Sequence, residues 1–261
     1  MNKIISVSTQ KGGVLKSSIV SNLAGLLATS GKKVLIIDTD AQANIALSFG
    51  LNPDDFNTTL YDVLIDQIPP EYATMNVHKN IDLLSSGEDM TFFEFDVLTN
   101  IKKYPQPFRI MKETLGSLYN QYDFILVDTP PNLGLVQGNV LSYAESVLIP
   151  FQPEGYSMRS LVKILDAINN FRDQHNPELN VLGVVGTLVD SRTTLHSQVL
   201  QQCRAYCNEN NIHMFETVIP RSVRFAASVA YERKPATLTD PKHPIVKAYF
   251  SLLEEIQEGE K

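Results

Sequence analysis

The sequence predicts an α/β fold: a doubly wound, mostly parallel sheet with helices on both faces. Short, nearly continuous runs of Val, Ile and Leu recur along the chain, separated by helix-length segments. Strands that are apolar at consecutive positions are buried on both faces, and parallel strands need helix-length crossovers. Composition agrees. Of 261 residues, 43% are hydrophobic and 20% charged, and mean hydropathy is −0.08. That balance excludes intrinsic disorder and suits one large domain spanning residues 1–261.

The elements follow in order. Residues 3–9 (KIISVST) form the first strand, and a glycine turn leads into a helix over 17–29. Residues 33–38 (KVLIID) are a second buried strand. Residues 67–105 are the least regular and hold an edge strand at 81–85. Helices are expected over 106–120, 134–144, 157–174, 195–209 and 245–257. Between them lie strands at 124–128 (FILVD), 146–151 (SVLIPF), 181–189 (VLGVVGTLV) and, shorter, 216–219. No internal repeat or low-complexity tract interrupts the pattern.

Several function classes drop out. The formal net charge of −7 excludes a uniformly basic, histone-like binder. The charge is uneven, however: Arg192, Arg204, Arg221, Arg224, Arg233 and Lys234 face only Glu209, Glu216 and Glu232 in the same stretch. An acidic chain can still carry a local basic face. Cys203 and Cys207 lack the partners for a disulfide scaffold or a zinc site and read as buried thiols. His78, His175, His196, His213 and His243 show no ligand spacing, and Phe92, Phe93 and Phe95 read as core or edge packing. No apolar run reaches membrane-span length and no signal peptide opens the chain, so the expected compartment is the cytoplasm.

The chemistry lies after the first strand. Residues 10–18 read Gln-Lys-Gly-Gly-Val-Leu-Lys-Ser-Ser. A strand, a glycine-rich loop and a helix opening on Lys-Ser is the mechanical arrangement of a P-loop. Backbone N–H groups ring the phosphates, the lysine reaches their β/γ oxygens, and the hydroxyl ligates Mg²⁺. Lys16 and Ser17 suit those last two roles, with Gly12, Gly13, Val14, Leu15 and Ser18 completing the cradle for ATP. Asp128 closes an apolar strand and is expected to hold the magnesium shell with Ser17.

The second lysine, Lys11, is not part of the plain P-loop pattern. It makes the loop resemble the deviant Walker A loop, K-G-G-x-G-K-[ST], of the MinD/ParA ATPases. Five further segments match in chain order. Asp38-Thr39-Asp40-Ala41-Gln42-Ala43-Asn44 resembles that family's D-x-D-x-Q-x-N switch, and residues 124–131 its Walker B strand and turn. Pro150-Phe151-Gln152-Pro153-Glu154 is similar to P-x-Q-x-E. Asp190-Ser191-Arg192-Thr193 and Ile219-Pro220-Arg221-Ser222-Val223-Arg224 resemble segments of the ParA/Soj partition ATPases. The resemblance therefore implies a P-loop NTPase fold over nearly the whole chain.

It also implies roles. Asp40 would orient the attacking water, Asp38 would join the Mg²⁺ shell, and Lys11 would reach the partner's phosphates across an ATP-dependent homodimer. Arg192, Arg221 and Arg224 match arginines used for sequence-independent DNA contact. The plain reading of those arginines is pairing with acidic neighbours. For Asp38 and Asp40 the plain reading is loop capping. The implied function is plasmid or chromosome partition, with a nucleoid-associated protein whose ATP hydrolysis is stimulated by a centromere-binding, ParB-like partner. With only Met1 and Asn2 ahead of the first strand, no N-terminal helix-turn-helix extension is expected.

Leu15 departs from the family, which has glycine before the P-loop lysine. A non-glycine residue in the left-handed region costs roughly 1–2 kcal/mol. Three readings stay open: the loop relaxes and binds nucleotide, it binds with impaired catalysis, or it has lost nucleotide and the chain is a pseudo-ATPase scaffold. A MinD-like membrane regulator is a further alternative. It is disfavoured because the tail from Ser251 to Lys261 carries four glutamates against one lysine, where membrane relatives carry a basic amphipathic helix.

Overall fold

The computed structural model describes residues 3–259. Its centre is one eight-stranded sheet: β1 (Ile4–Val7), β2 (Val34–Asp38), β3 (Thr74–His78), β4 (Ile81–Leu84), β5 (Phe124–Asp128), β6 (Ser146–Phe151), β7 (Asn180–Val189) and β8 (Met214–Pro220). The order is β3-β4-β2-β5-β1-β6-β7-β8. Every pairing is parallel except β3 with β4. The doubly wound, mostly parallel α/β fold expected from the apolar runs is what forms.

Burial explains why consecutive positions are apolar. Along β2, Leu35 and Ile37 enter one core layer while Val34 and Ile36 enter the other. Ile125 and Val127 of β5 repeat the split against Phe124 and Leu126. Successive side chains of a strand point to opposite faces, so a strand covered on both sides must be apolar throughout. Helices Lys16–Thr29 and Lys247–Glu258 cover one face. Helices Leu135–Tyr143, Ser157–Gln174 and Thr194–Glu209 cover the other.

Four expectations need correction. The strand at 81–84 is not the edge, because β3 pairs outside it in antiparallel register with a bulge between Asn76 and His78. The helix expected over 106–120 is only Ile110–Leu115, followed by a 3₁₀ stretch at Gly116–Gln121. Pro105 and Pro107 explain the late start, since a residue before proline is pushed out of helical geometry. The last strand runs longer than expected and ends on Pro220, tolerable on an edge. Phe93 is buried, but Phe92 and Phe95 are 58% and 66% exposed, so they do not pack in the core. Cys203 and Cys207 are buried free thiols, as read.

Candidate functional site

Three strands end level with one another. Asp128, the last residue of β5, is in register with Val7 of β1 on one side and Asp38 of β2 on the other. From β1 the chain goes to β2, two places away on one side beyond β5, and later it passes from β5 across β1 to β6 on the other side. Carboxyl ends of strands at such a reversal are where open α/β sheets bind ligands.

The loop from β1 bends over this end. Gly13 and Leu15 both have φ of 71°, and Leu15 stands as the N-cap of helix Lys16–Thr29 with ψ of 23°. The left-handed conformation anticipated for this position is therefore adopted by a leucine. Its side chain is half-buried and packs on the apolar layer beneath the helix. Among the described residues, the backbone N–H groups of Gly12 through Ser18 donate to no protein atom. Such a run of unpaired amides at a helix N-terminus is an anion cradle.

Lys16 is buried at 7% exposure, and its Nζ donates to the Lys11 carbonyl at 3.3 Å. Burial lowers its pKa, while the charges of Asp128 and Asp40 oppose that fall. Ser17 Oγ donates to Asp128 Oδ2 at 2.5 Å. Asp128 Oδ1 is buried and has no partner. Burial raises the Asp128 carboxyl to about 7, against the hydrogen bond from Ser17 and the charge of Lys16. An orphaned carboxylate oxygen beside a hydroxyl is a donor set for a hard divalent cation, so these residues fit Mg²⁺. Ser18 differs: its Oγ lies 3.0 Å from the hydroxyl of buried Tyr249, so only its amide faces the cradle's side of the helix.

The two switch carboxylates have different settings. Asp38 is fully buried, and its oxygens accept from the N–H groups of Asp40 (3.1 Å) and Ile45 (3.0 Å). Burial, then the charge of Asp128, raises its pKa well above the ordinary range. Through these two bonds Asp38 fixes the loop that carries Asp40. Asp40 is half-buried, accepts from the Gln42 amide at 3.1 Å, and feels Lys16.

Lys11 is held within its own chain, its Nζ 2.6 Å from Glu154 Oε2. Glu154 ends the Pro150–Glu154 segment, whose sequence alone names no partner for it. The two residues are 143 apart, and only the fold brings them together. Of the arginines, Arg192 forks onto Asp190 at 2.8 and 2.7 Å. Arg224 sits between Glu232 (3.0 Å) and Asp240 (3.2 Å). Arg221 is exposed and makes no ion pair with a described residue, although its charge helps lower the pKa of Glu154. The pairing with acidic neighbours therefore holds for two of the three.

Comparison with known proteins agrees with this geometry. Residues 2–181 match the AAA_31 family model, described as an AAA domain. The chain is 32% identical over 257 residues to the sporulation initiation inhibitor protein Soj of Bacillus subtilis, covering 98% of each chain. It is 32% identical over 249 residues to a ParA family protein of Mycoplasma pneumoniae, covering 91% of this chain and 90% of that one. Its fold superposes at a TM-score of 0.80 on a Borrelia burgdorferi B31 chain described as a putative plasmid partition protein bound to AMPPNP, with 27% identity and full coverage of both chains. With its P-loop NTPase fold and full-length match, the chain belongs to the ParA family.

Proposed function

We propose that this chain is an ATP-dependent partition protein of plasmid or chromosome. The observation that carries it is the orphaned Asp128 Oδ1 beside Ser17 Oγ, at the foot of a loop of unpaired amides and next to buried Lys16. The amides of Gly12 through Ser18 bind the phosphates of ATP, and the Lys16 ammonium balances their charge. Ser17 and Asp128 would hold Mg²⁺, which when bound neutralises phosphate oxygens. Asp38 holds the turn in which Asp40 orients the attacking water. Lys11 reaches the phosphates of a second copy, stabilising charge on the transferring phosphoryl group.

In this reading ATP drives dimerisation, and the dimer coats DNA through Arg221 and its neighbours without reading bases, which places the protein on the nucleoid. A centromere-binding, ParB-like partner stimulates hydrolysis. One observation favours a second reading, a nucleotide-impaired scaffold: Leu15 sits in the left-handed region. A membrane regulator is less well supported. No helix among the described residues is long and apolar enough to cross a membrane. In helix Lys247–Glu258, Tyr249, Leu252 and Ile256 are buried in the core, and Phe250 and Leu253 pack half-buried against it. Its large apolar side chains are thus turned to the protein and do not form a lipid-binding face. Glu260 and Lys261 lie outside the described residues.

Calorimetric titration with ATP and Mg²⁺, alongside steady-state turnover, tests the proposal. Binding with turnover supports it. Binding without turnover selects the scaffold, and no binding removes both ATP readings.

A further inference from the structure

Away from the phosphate loop, a group of large apolar side chains is left uncovered. Phe92, Phe95 and Leu98 are 58%, 66% and 52% exposed along and just before helix Phe93–Thr99. Their three-residue spacing keeps them within about a third of the helix circumference. Phe93 and Val97 turn inward instead and are fully buried. Ile101 and Leu133 add to the exposed surface.

Leu98 and Leu133 are also two walls of a cleft of about 300 Å³. Its floor is Phe108, Leu141 and Phe171. Gly138 makes that floor possible. A Cβ there would stand 2.5 Å from the Phe108 ring and 2.9 Å from that of Phe171, which meet edge to face at 5.2 Å. The cleft is large enough to take apolar side chains from outside, and contiguous exposed apolar surface of this kind marks an interaction site.

Charge selects the occupant. From Gly87 to Asn100 the chain carries Glu88, Asp89, Glu94 and Asp96 and no basic residue. Glu94 also caps helix Leu135–Tyr143, its Oε2 accepting the Leu135 amide at 3.1 Å, so one carboxylate is fixed at the cleft wall. Of the cations nearby in the chain, Lys103 donates to the Ile65 carbonyl at 3.1 Å and Arg109 lies 3.8 Å from Glu113, which leaves exposed Lys102 against four carboxylates. An anionic membrane or a nucleic acid would be repelled. A second copy docking by the same surface would set one acidic rim against another.

We propose that this cleft, with the stripe Phe92, Phe95 and Leu98, docks a basic amphipathic helix of another protein. Leucine-like side chains at i, i+3 or i+4, and i+7 enter the cleft, and flanking Lys or Arg meet Glu88, Asp89 and Glu94. The site does not depend on nucleotide turnover, so it stands or falls apart from the ATPase reading.

The test uses the full chain and a fluorescent peptide of about 18 residues built from Leu and Lys at that spacing. Two controls are the same composition scrambled and a Leu/Glu peptide with the original spacing. Anisotropy should show the patterned basic peptide binding at least about ten-fold tighter than either control. Leu98→Ser should loosen it roughly ten-fold, as for an anchor residue. The double variant Glu88→Lys and Asp89→Lys should loosen it several-fold and flatten its salt dependence. All three positions are exposed, so the fold tolerates these changes. Equal binding of the scrambled peptide, or no effect of Leu98→Ser, overturns the proposal. So does self-association, or sedimentation with anionic vesicles, that Phe95→Ser abolishes, because either assigns the face to a different occupant.

Discussion

Lys11 Nζ lies 2.6 Å from Glu154 Oε2, so the lysine assigned to a partner's phosphates is tethered at home. Gln152 Nε2 holds the other carboxylate oxygen at 2.5 Å, and the Lys11 hydrogen bond keeps the Glu154 carboxyl below its usual range. The side chains are 27% and 45% exposed, and ion pairs so placed contribute at most about 1 kcal/mol. Releasing the tether should therefore favour the dimer by no more than roughly five-fold. Sedimentation with AMPPNP and Mg²⁺ should show Glu154→Gln dimerising at lower concentration than the parent. Lys11→Ala should bind nucleotide but neither dimerise nor hydrolyse it. An unchanged dimer constant in Glu154→Gln would show that the ion pair does not restrain Lys11.

Leu15→Gly separates strain from packing. Relief of the left-handed leucine returns about 1 kcal/mol, while loss of a half-buried leucine side chain removes a similar amount. The folding midpoint should therefore shift by only a few degrees. Nucleotide affinity or turnover should rise several-fold, since the loop closes on phosphate without the side chain. Calorimetric titration of both proteins with ATP and Mg²⁺ is the check. Identical affinity and turnover would mean the loop accommodates leucine at no cost to function.

The buried carboxyl of Asp128 gives the ligand-free protein a pH signature. Its folded pKa of about 7 lies above the unfolded value of 3.8, mainly through burial. The folded state thus holds a proton that the unfolded state has lost, and stability falls as pH rises from about 4 to about 7. One pKa unit corresponds to about 1.4 kcal/mol, so the loss is on the order of a few kcal/mol. Asp128→Asn removes it. Without nucleotide or Mg²⁺, the variant's melting temperature should draw ahead of the parent's across that window and hold its lead above it. Hydrolysis by the variant should be lost. A gap that does not change with pH would place the proton elsewhere.

How much of this was readable in advance depends on whether a feature is local. Val34 to Asp38 announces a strand covered on both faces because each of its five residues is buried. The Lys16-Ser17 pair is legible because loop and helix are contiguous, and the left-handed turn at Leu15 follows from what glycine does in related loops. The Lys11–Glu154 pair was not legible, since it joins ends of different strands. Nor was the edge strand β3, whose residues are half-buried or exposed and carry no apolar run. Phe92 and Phe95 show the limit of residue type: an aromatic that packs and one that waits for a partner look alike until burial is known.

The arginines yield the last prediction, because the structure ranks residues that the sequence treats alike. Non-specific DNA affinity comes from neutralised phosphates, and falls by about 0.9 log units per log unit of salt for each phosphate neutralised. Arg192 must loosen its fork on Asp190 to reach a phosphate, and Arg224 must leave two carboxylates. Arg221 has no described ion-pair partner to leave, so it should contribute most. With ATP and Mg²⁺ present, Arg221→Ala should weaken binding to two unrelated duplexes equally and flatten the salt slope by about one unit for each phosphate it no longer neutralises. Arg192→Ala should do less, and Asp190→Asn, by freeing the guanidinium, should strengthen binding. Arg224→Ala should also lower the melting temperature, because Glu232 and Asp240 are left facing each other without their shared cation. Anisotropy across a salt series, with and without ATP, resolves these effects. If the parent protein ignores both duplexes at low salt with ATP bound, DNA carriage is wrong. If Arg192→Ala matters more than Arg221→Ala, the ranking by ion pairs is wrong.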